Sequence, residues 1–245
     1  INPESCKNVR ISDCYVDVGD DCITIKSGLE TDILQKQYPC ENITVTNCTL
    51  IHGHGGVVIG SEMSGGVRNV TISNCVFQNT DRGIRIKTRR KRGGQVENIL
   101  VSNLVMDSVM AGITMNAYYH CGASEDDMEL FSLNALPITD TTPQMRDMLF
   151  SNIIMKNVRA AGIYILGLPE MPVKNIRMTN LDITVSGCTE GGHAVAAYHI
   201  EKSFGDGIVI DNGDGICIDN CTVSAVKNKL IVKDIKNVTV NGKRL

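Results

Sequence analysis

Six side chains in the first half of the chain have the types that acid–base and anion-binding chemistry requires. They are Asp20 and Asp21 in "VDVGDDCITIKSG", His54 in "GHGG", Arg85 and Lys87 in "RIK", and Tyr119 in "AYYHC". Carboxylates beside an imidazole suit protonation of a leaving group and activation of water, and two neighbouring cations suit an anionic substrate. A second carboxylate next door disfavours ionisation of the first, which helps keep one acid protonated near working pH. Adjacent acids on a loop are ordinarily a solvated turn, so the assignment depends on what the spacing does with them.

The elements that must position these residues form a repeat. It reads "KNVRISDCYV" (7 to 16), "ENITVTNCTL" (41 to 50), "RNVTISNCVF" (68 to 77), "ENILVSNLVM" (97 to 106), "RDMLFSNIIM" (146 to 155), "KNIRMTNLDI" (174 to 183), a divergent "DGICIDNCTV" (214 to 223) and a partial "KNVTVNG" (236 to 242). Successive starts differ by 34, 27, 29, 49, 28, 40 and 22 residues, so the unit is constant and its connections are not. Counted from the second residue of each unit, offsets 1 and 3 are apolar throughout, which is strand periodicity. Offset 5 is Asp or Asn until Gly242 ends the series, and this predicts a ladder of stacked Asn side chains.

A second strand recurs in "CITIKSG", "GVVIGSE", "GIRIKTR" and "GITMNAY", with Ile23, Val57, Ile84 and Ile113 at one offset and Ile25, Ile59, Ile86 and Met115 two further on. Short repeated strands with variable connections indicate an all-β solenoid, a right-handed, single-stranded parallel β-helix of about eight coils. The 245 residues are read as one domain, with insertions at 123–145, carrying a short helix, and at 186–214. Met106, Met115 and Met155 fall at core offsets. Cys14, Cys48 and Cys75 share an inner column, where reduced thiols serve as small apolar filler; that points to a reducing, cytoplasmic compartment. Because the sequence starts without Met, a secreted or periplasmic location stays open.

The net charge of −3 asks for neither nucleic acid nor a membrane surface, and no stretch of 18 uninterrupted apolar residues occurs. No cysteine pair has zinc spacing, and no metal or other cofactor is expected. The basic run "KTRRKR" (87 to 92) would ordinarily be a solvated charge run or a nucleic-acid patch; in a near-neutral chain, beside the candidate site, it is read instead as drawing in an acidic polymer.

The repeat turns the six residues into columns. Asp20 and His54 each lie 12 residues after the reference Asn of their coil, so they stack about 5 Å apart, and Asp21 has Gly55 above it. Arg85 and Lys87 have the parity opposite to Ile84 and Ile86 and so face solvent. Gly19 permits a turn that aims both acids outward. Tyr118 and Tyr119 both follow the fourth coil's strand. His52, His120, His193 and His199 have no evident partner.

"GDDCI", "GHGG" and "RIK", in that order and spacing, resemble the glycoside hydrolase family 28 polygalacturonases. The resemblance implies a β-helix that hydrolyses α-1,4-linked galacturonan in pectin with inversion, acting as a monomer on a pectic oligo- or polysaccharide. It implies Asp20 as general acid, Asp21 as a base activating water, His54 as support for the acid's protonation, and Arg85, Lys87 and Tyr119 as substrate-binding residues. That family also carries an Asn-Thr-Asp motif, which would lie just before residue 1 and is not in this sequence. The isolated chain is therefore expected to be inactive or severely impaired. Alternatives are a hydrolase of another pectic backbone such as rhamnogalacturonan, a non-catalytic carbohydrate-binding β-helix, or a calcium-dependent lyase using Asp20, Asp21 and Asp81. The low aromatic content, 4%, argues against the binding module, and His54 with the nearby cations against the lyase. The loops at 29–40 and 123–145 carry no readable pattern for cleavage mode.

Overall fold

Each repeat unit turns its corners on residues that tolerate left-handed backbone. At offset 0, Asn8, Asn42, Asn69, Asn98, Asp147, Asn175, Gly215 and Asn237 have φ between 50° and 71°. At offset 5, Asp13, Asn47, Asn74, Asn103, Asn152, Asn180, Asn220 and Gly242 lie between 50° and 73°. Asn and Asp reach this region because their short polar side chains bond locally, whereas a Val or Ile would be strained. A third corner, at His52, Asn79, Ser108 and Asn157, repeats the same geometry at offset 10.

Between the corners run three stacks of parallel strands. The computed structural model describes residues 1–29 and 38–245, and its strands join into an 18-stranded sheet wound as a right-handed parallel β-helix. The expected loop at 29–40 lies mostly outside the described residues. The first ladder runs Ile11, Val45, Ile72, Val101, Phe150, Met178, Ile218 and Val240, one rung per repeat unit. The second runs Val16, Leu50, Phe77, Met106, Met155, Ile183 and Val223. The third runs Ile23, Val57, Ile84, Ile113, Ile163, Ile208 and Leu230, as the sequence pattern indicated for its first four members. These columns fill one continuous apolar interior.

The predicted Asn ladder exists. Asn103 donates to Asn74 at 3.3 Å, Asn152 to Asn103 at 3.2 Å, Asn180 to Asn152 at 3.0 Å and Asn220 to Asn180 at 2.7 Å. A second, unpredicted ladder runs at offset 0, where Asn42, Asn69 and Asn98 each donate to the Asn one coil earlier, at 3.0 to 3.2 Å. All ten cysteines are free thiols; Cys14, Cys48 and Cys75 each donate to the carbonyl two residues earlier.

Two expectations need correction. The irregular stretch thought to span 186–214 ends sooner, because Asp206–Asp219 is a strand whose Ile208 and Ile210 stack on Ile163 and Ile165. "DGIVID" has the same apolar alternation as "GITMN", but the lengthy connection before it hid the match. The run 87–92 is not solvated, since Lys91 alone is exposed. Arg90 pairs with Glu170 at 2.6 and 3.0 Å and donates to the carbonyls of Leu130, Ser132 and Asn134, under the ring of Tyr118 at 5.3 Å. Arg89 donates to the Cys121 carbonyl at 2.8 Å. These arginines hold down the 123–145 segment, whose helix is the single turn Met128–Phe131 capped by Asp127.

Asn103 sits mid-ladder, giving one bond and receiving another. Asn103→Ala should lower stability by about 2 kcal/mol, from a β-carbon forced into left-handed backbone plus the lost bonds, and Asn103→Gly by about half that. Urea midpoints check the order; equal midpoints for the two variants would show that backbone strain does not govern the corner.

Candidate active site

The acid pair lies just before the strand Ile23–Ile25, and its two side chains meet different surroundings. The Asp20 side chain is 87% exposed and the Asp21 side chain 7%, so the expectation that both face solvent is corrected. Gly19 does not adopt positive φ, and no bulge is needed.

Asp20 meets His54 as the column arithmetic required. His54 Nδ1 lies 3.2 Å from Asp20 Oδ1, and the His54 backbone N–H donates to the Asp20 carbonyl at 3.1 Å. The Asp21 backbone N–H donates to Asp20 Oδ1 at 2.7 Å. That backbone bond is the largest influence on the Asp20 carboxyl; burial opposes it, and the bond and charge of His54 add to it, leaving the carboxyl below the usual carboxylate range. Both His54 contributions act to lower the Asp20 pKa.

Asp21 is enclosed by cations. Arg85 Nη1 lies 3.1 Å from its Oδ1 and Lys87 Nζ 2.7 Å from its Oδ2, with both basic side chains 9% exposed. Arg85 and Lys87 do point away from the core, opposite Ile84 and Ile86, but they are roofed over and not solvated; this corrects the second orientation read from parity. Gly55 makes the space, because a β-carbon there would stand 3.3 Å from both Asp21 Oδ1 and Arg85 Cδ and 2.4 Å from Val58 Cγ2. Burial, then the Arg85 charge, pull the Lys87 pKa down, against the opposing pull of Asp21.

Tyr119 is the roof. Its ring centroid is 5.1 Å from Lys87 Nζ and 5.5 Å from Arg85 Cζ, distances of cation–π contact. Burial pushes its phenol up to about 12, so it stays a neutral hydroxyl. Tyr118 is core, 1% exposed over Arg90. The structure thus brings together all six residues singled out from the sequence, across four successive coils.

Sequence reasoning missed the surroundings. Arg82, 8% exposed, begins the strand that carries Arg85 and faces Asp81 at 3.5 Å. His120 stacks on Tyr119 with centroids 6.1 Å apart and lies 4.7 Å from the ring of Tyr198. Burial, then the charges of His193, Arg85 and Arg82, lower its pKa. His52 pairs with Asp17 at 2.9 Å, parallel to the His54–Asp20 pair. The signal for Arg82 was its place three residues before Arg85; nothing in the sequence located residues 186–205 beside it.

The sign of the Asp20 perturbation is testable. His54→Ala removes two of the influences that lower the Asp20 pKa, so the carboxyl should titrate at higher pH, nearer the ordinary Asp value. A depressed carboxyl favours the fold above its unfolded pKa and loses that contribution as pH falls through the folded value, so the variant should give up less stability on acidification. Carbon-13 NMR of the Asp20 carboxyl reads the shift; an unchanged or lower midpoint would contradict the assigned cause.

Comparison with known proteins places this arrangement in a family. The chain is 35% identical over 184 residues to a "Probable polygalacturonase" of Vitis vinifera, an alignment covering 75% of this chain and 35% of that protein. Among solved structures it is similar to a hyperthermoactive exopolygalacturonase from Thermotoga maritima, with TM-score 0.67, 30% identity and coverage of 100% of this chain and 44% of that one. A family 28 exopolygalacturonase of Yersinia enterocolitica shares the fold at TM-score 0.77 and 20% identity, with 100% of this chain and 38% of that one covered. The chain therefore spans well under half the length of these relatives. A family model matches residues 1–200, and the chain belongs to the glycosyl hydrolases family 28.

Proposed function

We propose that this chain carries the acid and the carboxylate clamp of a polygalacturonase that hydrolyses galacturonan with inversion. The observation that carries the reading is the pairing of an exposed Asp20–His54 dyad with a roofed Arg85–Lys87–Tyr119 anion site on the same face. The matched relative and both solved neighbours are described as polygalacturonases or exopolygalacturonases, which supports galacturonan over rhamnogalacturonan or a non-catalytic module.

In this reading a uronate carboxylate approaches Arg85 and Lys87, whose charges Asp21 neutralises only in part, and its sugar ring lies against Tyr119. Asp20 donates its proton to the glycosidic oxygen as the bond from that oxygen to the anomeric carbon breaks. Water attacks the anomeric carbon from the opposite face and gives its proton to a carboxylate. Asp21 retains lone pairs beyond the two taken by its cations and is the candidate acceptor. Asp20 must be protonated for this, whereas the free site favours its ionised form. The bound uronate resolves the conflict by adding a like charge and displacing water, both of which raise a carboxyl pKa.

With the Asn-Thr-Asp segment that the family carries restored ahead of residue 1, Asp20→Asn should reduce release of reducing ends from polygalacturonate by about 10²–10⁴-fold. Arg85→Gln or Lys87→Gln should act mainly on KM, because each removes a contact to a charge the substrate carries throughout. Raising salt should weaken substrate binding in parallel. Wild-type turnover by Asp20→Asn would sink the assignment, and an unsaturated product absorbing in the ultraviolet would indicate elimination in place of hydrolysis.

A further inference from the structure

The outer face of the third ladder beyond Tyr119 is paved with small residues. Ala111, Ala160 and Ala161 make a separate buried cluster with Ala194, bordered by Met110 and Tyr164. Segment 186–205 lies on this pavement. At Gly192 the approach is so close that a β-carbon would stand 2.9 Å from Ala160 Cβ. Gly192 and Ser203 exchange antiparallel backbone bonds of 2.8 and 2.9 Å that close the segment into a strap.

The strap is fastened from the strands that carry the site. Arg82 donates from Nε to the Ala194 carbonyl at 3.1 Å and from Nη2 to the His193 carbonyl at 2.5 Å. Asn116 Nδ2 and the His120 N–H both donate to the Ala196 carbonyl, at 3.1 and 3.2 Å, and Tyr119 bridges to Ala197. Its contacts thus advance from residues 193 and 194 at Arg82 to 197 at Tyr119, in the direction of the strands. The site residues advance the other way, one coil at a time from Asp20 through His54 and Arg85 to Tyr119. A chain laid over them runs along the helix axis and meets the strap crosswise. Between the rung of Arg85 and the rung of Ala111 and Thr114 there is one strand spacing, about 4.8 Å.

We propose that segment 186–205 is an end wall of the binding groove, positioned by Arg82. The site then takes the terminus of an acidic polysaccharide and admits about one uronate unit on the strap side of Arg85. This rests on the galacturonan reading above and adds the cleavage mode, which is from a chain end. Arg82 is a positioning residue. It acts through the strap and does not touch the reacting bond, and its burial leaves the guanidinium, lowered to about 10, still a cation at neutral pH.

The test is binding, measured calorimetrically with the 245-residue chain carrying Asp20→Asn. Three ligands are compared: trigalacturonate, the same oligomer with a bulky substituent on its reducing end, and one substituted on its non-reducing end. One substituted oligomer should lose at least about tenfold in affinity while the other binds like the parent. Adding Arg82→Ala should restore the weakened oligomer to within about threefold of the parent, a gain that general destabilisation would not produce. Asn116→Ala is the second, milder release of the strap. Circular dichroism and amide exchange over residues 192–198 verify that the β-helix persists while the strap loosens. Equal binding of both substituted oligomers, or loss at both ends, overturns the single wall. A folded Arg82→Ala chain that restores nothing overturns the role of Arg82. If trigalacturonate itself does not bind, the galacturonan reading fails first and the wall falls with it.

Discussion

The geometry of this protein descends from the difficulty of turning a β-coil with L-amino acids. Each coil bends at positions where the backbone must be left-handed, and only residues such as Asn, Asp and Gly occupy that region with little strain. Once Asn holds a corner, its amide reaches the Asn one coil away, so the same residue that permits the bend also fixes the stacking. Equal offsets in sequence then become equal columns in space. Connections of any length can be spliced between units without disturbing those columns, and that is how a rigid interior carries variable segments such as 123–145 and 186–205.

On this frame the site is a problem in charge. Asp21 offers one negative charge to Arg85 and Lys87, and Asp81 only partly occupies Arg82 at 3.5 Å. Three enclosed cations, beneath an aromatic ring and beside two histidines, thus share the carboxylates of Asp21 and Asp81, while that of Asp20 is exposed. Burying unbalanced charge is unfavourable unless something else compensates. In the proposed reading, the carboxylate of an anionic sugar would add a further partner for Arg85 and Lys87. Shelter also strengthens the attraction, because a carboxylate meets them across little intervening water.

Periodicity made the fold legible, and the columns of Asp20, His54, Arg85 and Lys87 followed from offset arithmetic alone. What arithmetic missed was burial outside the ladder. Parity places Arg85 on the outer face but is silent on what covers that face. The cover comes from Tyr119, in a strand tail, and from residues 186–205, some hundred positions away with no repeat to register them. The same blindness made the run at 87–92 look solvated, since its partners Glu170 and the carbonyls of 130–134 belong to other coils. The pavement of Ala111, Ala160 and Ala161 was present in "MAGITMN" and "RAAGIYIL" as small residues, where the coil before carries Arg82 in the column of Ala111 and Ala161, a hint of close approach that does not say what approaches.

Asp20 and Asp21 illustrate how one dipeptide acquires two environments. One carboxylate enters the cation nest and the other faces solvent, where backbone and imidazole bonds lower its pKa. A group poised in that way in the empty site is a poor acid, yet the features that depress its pKa are local and few, while its surface is almost wholly solvated. It is therefore the carboxyl in the site most open to change when solvent is replaced by an anionic ring. Its neighbour Asp21 lies between Arg85 and Lys87 and holds in place the cations that would bring the responding charge to Asp20.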